Sequence, residues 1–339
     1  METSFHGTRS DTLFEDGFVL CVEPTGEALA RDPVAWVATV LPRLEQMLLR
    51  HRAILLRGFS FTQHSFRDFA HTVSPELLNY AGGVAPRAAL GNDVYLASIH
   101  DPRCVILQHH EMSYARRWPM KVLFLAEVVS PTGGETPVCD PRRAMRRIAP
   151  TTIAKFRDLG VSYTRNYVPG RGIPTWREAF LTDDRQVVEA VCREREIEVE
   201  WRDGDRLRTR HTAQGTAVHP GTGEEVLFNQ CTLLTADTGI PAETTPAVRN
   251  LLPMLPPAVL ESLRTVPSDE RAYNTSFGNG TRIELGILEE VNTAYEDEKR
   301  SFTWRPGDVL VIENMLATHG RGTYQGDRRV LAVLAEPSK

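Results

Sequence analysis

Cysteine is scarce in this chain. The five present in 339 residues, Cys21, Cys104, Cys139, Cys192 and Cys231, are odd in number and form no C-x-x-C pair. That argues against a disulfide framework and for reduced thiols in a cytoplasmic protein. Long apolar runs are missing, so no segment is expected to span a bilayer. The opening Met1-Glu2-Thr3-Ser4-Phe5-His6 has no basic and apolar leader for export. Excess positive charge is missing too, and a net charge of −5 gives no reason to expect nucleic acid as a partner. No internal repeat or linker divides the chain. What remains is the apolar and charged content of an ordinary globular protein, 41% and 24%, with enough length to bury a sizeable core.

The informative residues are His109-His110-Glu111 and, far downstream, His319 behind the strand-like run Asp308-Val309-Leu310-Val311-Ile312. Two imidazoles and one carboxylate on one face of a metal leave the opposite face open, the ligand set of non-haem Fe(II) oxygenases. In a strand, residues i and i+2 share a face, so His109 and Glu111 are expected to grip one ion while His110 points away. The third ligand then comes from a strand distant in sequence and adjacent in space. An antiparallel barrel or jelly roll of the cupin type supplies this. The fold expected is α+β, mainly β, with a double-stranded β-helix core and flanking helices. An H-x-E pair alone is a weak signal in a chain with ten histidines.

Two further motifs strengthen it. Gly133-Gly134-Glu135-Thr136 reads as a tight turn after Val122-Leu123-Phe124-Leu125-Ala126, with Thr136 opening the next strand and offering a hydroxyl to an anionic ligand. Arg328-Arg329 follows His319 and precedes the apolar run Val330-Leu331-Ala332-Val333-Leu334. An arginine entering a barrel there clamps a carboxylate with a bidentate fork that lysine lacks.

With these residues assembled, His109-x-Glu111-x-Ser113-Tyr114, Gly133-Gly134-Glu135-Thr136, Asn314-x5-Gly320-Arg321 around His319, and Arg328-Arg329, the chain resembles the TauD/TfdA family of Fe(II)/2-oxoglutarate dioxygenases. The closer resemblance is to the SyrP-like amino-acid hydroxylases of natural-product pathways, and it runs from about Phe18 to Glu336. It implies that His109, Glu111 and His319 bind iron. It also implies that Thr136 and Arg329 bind 2-oxoglutarate, with Arg328 the second choice of clamp, and that O2 is the third reactant. The activity implied is oxidation, above all hydroxylation, of an unactivated C–H bond, with release of succinate and CO2. Glu111 argues against halogenation, because related halogenases lack the carboxylate. Two positions depart from the branch: His110 stands where asparagine is usual, and Tyr95-Leu96-Ala97-Ser98-Ile99-His100 replaces a threonine-rich stretch.

The substrate expected is an amino acid or a derivative of one, free or presented by a peptidyl carrier protein. Candidate substrate residues are His110, Ser113, Tyr114, Arg116, Arg117, Ser98 and Asn229. Desaturation, epoxidation and cyclisation are alternative outcomes of the same chemistry. A zinc enzyme using the same ligands and a non-catalytic cupin-like binder are the competing readings.

Along the chain, residues 1–17 are a polar, flexible segment expected to order only on contact, and 18–339 form one domain. Strands are expected at Phe18–Val22, Ala53–Gly58, Val161–Tyr167 and Glu225–Gln230, with a hairpin over 196–209. Helices are expected over Pro33–Arg50, Thr62–Val73, Pro141–Asp158, Asp184–Arg195, Pro246–Leu263 and Glu284–Glu298. Arg142-Arg143 and Arg146-Arg147 read as one charged helix face. Residues 79–101 read as a long loop covering the site, 168–175 as a second loop, and the final hairpin as the carrier of both His319 and the arginine pair.

Overall fold

Strands Ala53–Leu56, Pro119–Val128, Val309–Glu313 and Arg329–Pro337 are built almost wholly from apolar residues and are buried along nearly their whole length. Strands of this kind sit inside a sheet covered on both faces. In the computed structural model, which describes residues 5–78, 90–91, 93–169, 175–235, 244–252, 261, 264–267 and 270–338, they form the centre of a seven-stranded sheet. Its spatial order is Thr8–Thr12, Leu20–Pro24, Ala53–Leu56, Val309–Glu313, Pro119–Val128, Arg329–Pro337, Tyr95–Leu96. All neighbours are antiparallel except Leu20–Pro24 with Ala53–Leu56.

Side-chain alternation divides the core in two. On the outer face Ile54, Leu56, Leu123, Leu125, Val309, Val311, Leu331 and Val333 pack against helices Pro33–His51 and Gln63–Val73 through Trp36, Leu48, Phe66 and Phe69. Both helices start as the sequence predicts. Asp32 accepts from the Ala35 amide ahead of Pro33, and Thr62 and Ser65 form a capping box. On the inner face Leu55, Val122, Phe124, Leu310, Ile312, Val330 and Ala332 meet Val138, Cys139 and Tyr163 of a second β layer. That layer holds a three-stranded sheet, Ile106–His109, Thr318–Arg321 and Val138–Cys139. It also holds a four-stranded sheet of Glu198–Arg202, Arg206–Ala213, Val161–Tyr167 and Tyr273–Phe277. Two β layers closed over one apolar interior with helices outside is the jelly roll expected.

Several expectations need correction. Residues 8–12 are an edge strand paired with Leu20–Pro24, and Phe5 packs edge-on against Trp36 at 5.7 Å. The chain before Phe18 is therefore not all loose polar segment: polar side chains alternate with half-buried ones, as an edge strand requires. The helix expected over Pro141–Asp158 is two, Pro141–Met145 and Pro150–Leu159, because Pro150 cannot continue a preceding helix. The arginines there are not one solvated face. Arg142 pairs with Asp140 and Glu224, and Arg143 with Asp16 and Glu298, while Arg147 shares Glu298. The strand Glu225–Leu227 stops before Asn229. Thr318–Arg321 and Arg329–Pro337 lie in different layers, so they are not the two arms of one hairpin. Of the long loop, residues 79–89 and 92 lie outside the described residues, as do 170–174 of the second loop and 253–260, 262 and 263 of the helix expected over Pro246–Leu263, which begins with the short helix Pro246–Arg249. All five cysteines are free thiols. Among the described residues no helix is long and apolar enough to cross a membrane.

Candidate active site

Strand Thr318–Arg321 runs between Ile106–His109 and Val138–Cys139, placing His319 directly across from His109 on one side and from Val138 on the other. The two imidazole centroids are 4.4 Å apart. Gly320 is required by this closeness, since a Cβ there would lie 2.6 Å from the Ile106 carbonyl oxygen. Glu111 is not part of the strand, as the i, i+2 reading assumed. The strand ends at His109, and the chain turns through Met112 at φ 54°, a left-handed conformation uncommon outside glycine. The turn carries Glu111 back toward the imidazoles.

Ligand atoms of His109, Glu111 and His319 all lie within 4.8 Å of one another. The His319 Nε2 to Glu111 Oε2 distance is 3.7 Å, too long for a hydrogen bond and suited to two ligands of one ion. His109 Nδ1–H donates to the Leu107 carbonyl at 2.9 Å, which fixes the tautomer with its lone pair on Nε2. The edge of Phe124 holds the His319 ring at 5.1 Å. Glu111 and His319 are buried, and His319 Nδ1 has no hydrogen-bond partner among the described residues. A buried carboxylate between two imidazoles calls for a cation, and the donor set fits Fe(II).

Next to the triad, Thr136 is buried and its hydroxyl accepts from Trp304 Nε1 at 3.1 Å. It lies between the short strands Thr132–Gly133 and Val138–Cys139, so it does not open a strand. Two residues earlier the Gly134 carbonyl accepts from Arg328 Nε at 3.0 Å. A Cβ on Gly134 would come 3.0 Å from Arg328 Cδ, and its φ is +78°, so both the turn and the arginine need glycine there. Arg328 sits 5.5 Å from the Tyr324 ring centroid, with Arg321 5.2 Å from the same ring. Burial, helped by the Arg321 charge, pushes the Arg328 guanidinium down to about 10. A cation under that strain is ready for an anion.

Arg329, expected as the clamp, is not in this cradle. Its Nε pairs with Glu127 Oε2 at 3.0 Å and it reaches Gln63 on the helix side of the sheet, with 42% of the side chain exposed. The reason is parity. Val330, Ala332 and Leu334 belong to the inner core and Leu331 and Val333 to the outer, so alternation along the strand turns Arg329 outward, toward Glu127, the residue that the register shift in the partner strand leaves unpaired.

Chain comparison agrees with this geometry. The family model described as "Taurine catabolism dioxygenase TauD, TfdA family" matches residues 24–335. The chain belongs to this family. It is accordingly a dioxygenase that depends on Fe(II) and 2-oxoglutarate and consumes O2, which removes the zinc and non-catalytic readings. It is similar to the dapdiamide synthesis protein DdaC of Enterobacter agglomerans, 30% identical over 87% of this chain and 85% of that one. A clavaminate synthase-like protein of Arabidopsis thaliana is 27% identical over 86% and 84%. PvcB of Pseudomonas aeruginosa shares the fold, with a TM-score of 0.50 at 15% identity over 98% of this chain and 92% of that one.

Most of the dioxygenase's expected substrate residues have other work. Arg116 and Arg117 are exposed, pairing with Glu196 and Glu76. Asn229 donates to the Gly215 carbonyl and caps the Cys231 amide. Ser113 donates to the His110 carbonyl, the Tyr114 ring packs near Tyr163 at 6.2 Å, and Ser98 bonds the His100 amide and Arg321. These are local polar satisfactions. His110 does point away from the metal, but into packing: its ring lies 4.8 Å from Phe228 and Nδ1–H donates to the Asn314 carbonyl at 2.6 Å. Burial pushes this imidazole down to about 4, so it is neutral at pH 7. His110→Asn should leave 2-oxoglutarate affinity within about twofold while lowering stability by about 1–3 kcal/mol, measured by thermal unfolding and cosubstrate titration. A changed ratio of product to succinate would instead mean that His110 reaches the substrate.

Sequence reading gave Asn314 no task beyond its place in a motif. Its Oδ1 accepts from the Glu111 amide at 2.8 Å, and Nδ2 donates to the Glu111 and Pro119 carbonyls at 2.9 and 2.7 Å. Gln230 Nε2 holds the His110 carbonyl, Gln214 Nε2 those of Ser113 and Ala115, and His211 Nε2 that of Tyr114. The ligand turn is thus gripped from several elements. No spacing relative to the ligands marks the glutamines, His211 or Trp304 in the sequence. Asn314→Ala should weaken Fe(II) binding by roughly 10–100-fold, as for other groups that orient a ligand, read by metal titration of the folded variant.

Proposed function

We propose that this dioxygenase hydroxylates an unactivated C–H bond of an amino acid or amino-acid derivative in a natural-product pathway. The observation that carries it is the His109, Glu111, His319 triad beside an anion cradle of Thr136 and Arg328. The similarity to a dapdiamide synthesis protein supports the substrate class and the natural-product setting. When bound, iron and 2-oxoglutarate supply the oxidising power, with the cosubstrate leaving as succinate and CO2.

The residues of this chain hold and orient. His109, Glu111 and His319 grip one side of the metal and leave the other open to cosubstrate, O2 and substrate. Trp304 donates into the Thr136 oxygen, which leaves the Thr136 proton free for the far carboxylate that 2-oxoglutarate would bring. Arg328, with Nε committed to Gly134, keeps the other nitrogens of its fork with which it would hold the same carboxylate. Phe124 and the inner core residues Val122, Val330 and Ala332 line an apolar wall that keeps water from the reacting centre.

The test is succinate and CO2 release by metal-free protein given Fe(II), 2-oxoglutarate and O2, with a panel of free amino acids and carrier-bound aminoacyl groups. Stimulation above the substrate-free rate, with a hydroxylated product, is expected. Product two hydrogens lighter in place of oxygen gain would replace hydroxylation with desaturation or ring closure.

A further inference from the structure

Glu313 and His219 are each 3% exposed, and no step above uses them. Glu313 ends strand Val309–Glu313 of the seven-stranded sheet and begins the corner that crosses to Thr318–Arg321, the strand carrying His319. The corner is built on this one residue. Its carbonyl accepts from the Leu316 and Ala317 amides at 3.1 and 2.9 Å, and its Oε2 from the Met315 and Leu316 amides at 2.9 and 2.8 Å. Oε1 faces His219 Nε2 at 3.1 Å. The other ring nitrogen, Nδ1, lies 3.1 and 3.0 Å from the Gly221 and Thr222 amides, both donors. Nδ1 is therefore the acceptor, the ring proton sits on Nε2, and Nε2–H donates to Glu313. A buried carboxylate is costly without donors, and three N–H groups satisfy this one.

The pair reaches the metal site from two directions. Asn314, which grips Glu111, follows Glu313 directly, and the far end of the corner is Thr318 beside His319. His219 sits at the tip of the hairpin Thr216–Val218 and Glu225–Leu227, in a loop closed by its own amide to the Glu224 carbonyl and by the Gly223 amide to its carbonyl. Just past the base of the same hairpin, Phe228 packs on the His110 ring and Gln230 holds the His110 carbonyl, while His110 Nδ1 bonds the Asn314 carbonyl. The hairpin therefore braces the Glu111 turn at its base and the His319 corner at its tip. Buried ionic groups are weak evidence for stability, and their best-attested use is to fix register.

We propose that His219 is a positioning residue of the metal centre, acting through Glu313 to fix the corner from which Asn314 and His319 reach the site. The inference rests on the reading of His109, Glu111 and His319 as ligands. A corner fixed in advance leaves less to be ordered when the metal binds, and affinity rises accordingly.

The experiment titrates Fe(II) alone into metal-free protein under anaerobic conditions, with thermal unfolding of each variant measured alongside. His219→Phe keeps a ring of similar size but offers Glu313 no N–H, and should weaken Fe(II) binding by roughly 10-fold, the lower end of what loss of a ligand-orienting group costs. His219→Gln keeps an N–H donor and should stay within about threefold of wild type. Glu313→Gln should match His219→Phe, and the double variant should bind no more weakly than the worse single one, because the two residues act as a unit. Leu48→Ala, in the outer core, controls for destabilisation alone: it should lower the melting temperature yet leave Fe(II) affinity within about twofold. Wild-type affinity in His219→Phe, a loss in Leu48→Ala as large as in His219→Phe, additive losses in the double variant, or failure of both His219→Phe and Glu313→Gln to fold overturns the assignment. If His319→Ala binds Fe(II) as wild type does, the ligand reading fails first and the positioning role falls with it.

Discussion

Replacing His319 with alanine is expected to abolish succinate release and to weaken Fe(II) binding by more than the roughly 100-fold that loss of a ligand-orienting group costs. His319 is the one ligand contributed from the second half of the chain, and its strand is held by neighbours on both sides, His109 across from it and Val138 behind. Removing the imidazole leaves a histidine and a carboxylate from one short segment, which cannot cap a face of the metal. Loss of the ring beside Phe124 also opens a cavity, so activity alone does not separate metal loss from misfolding. Thermal unfolding does. Fe(II) at about 100 times its Kd should stabilise wild type by about 2.7 kcal/mol; the variant should unfold cooperatively and show no such rise. A metal-dependent rise of wild-type size in His319→Ala would remove His319 from the ligand set.

Much of the site was legible because metal chemistry restricts residue type more tightly than it restricts backbone. His109, Glu111 and His319 were readable as candidate ligands, yet Glu111 comes to the two imidazoles through a left-handed turn at Met112 and not by strand alternation. Parity grouped three side chains that do lie together, for an incomplete reason. The fold was legible where apolar runs are long, as at Pro119–Val128, and less so where local chemistry intervenes. Pro150 divides a helix that helical spacing alone joins. The strand at residues 8–12 has few apolar residues to announce it, because its partner covers one edge and water the other. Polar residues near the motif were the least legible. Ser113 and Asn229 satisfy backbone groups a few residues away, the His110 carbonyl and the Cys231 amide, an arrangement indistinguishable by composition from a substrate contact.

The arginine pair shows the same limit and yields the sharpest test. Val330 to Leu334 is apolar at every position because the strand is covered on both faces, so it carries no two-residue rhythm from which to tell which of Arg328 and Arg329 faces inward. The structure places Arg328 against Gly134 and Arg329 against Glu127. Arg328→Lys keeps a charge but gives up the planar fork and the Nε bond to the Gly134 carbonyl. Apparent affinity for 2-oxoglutarate should fall by about 10–100-fold, or about 1.4–2.8 kcal/mol. Arg329→Lys exchanges one half-exposed ion pair for another, worth about 0–1 kcal/mol, and should leave cosubstrate affinity within about twofold. Titrating 2-oxoglutarate into both variants loaded with Fe(II) decides between them, since the two substitutions are chemically identical and differ only in which face of the strand they alter. The opposite ranking would mean that Arg329 and not Arg328 faces the inner layer and closes the cradle beside Thr136.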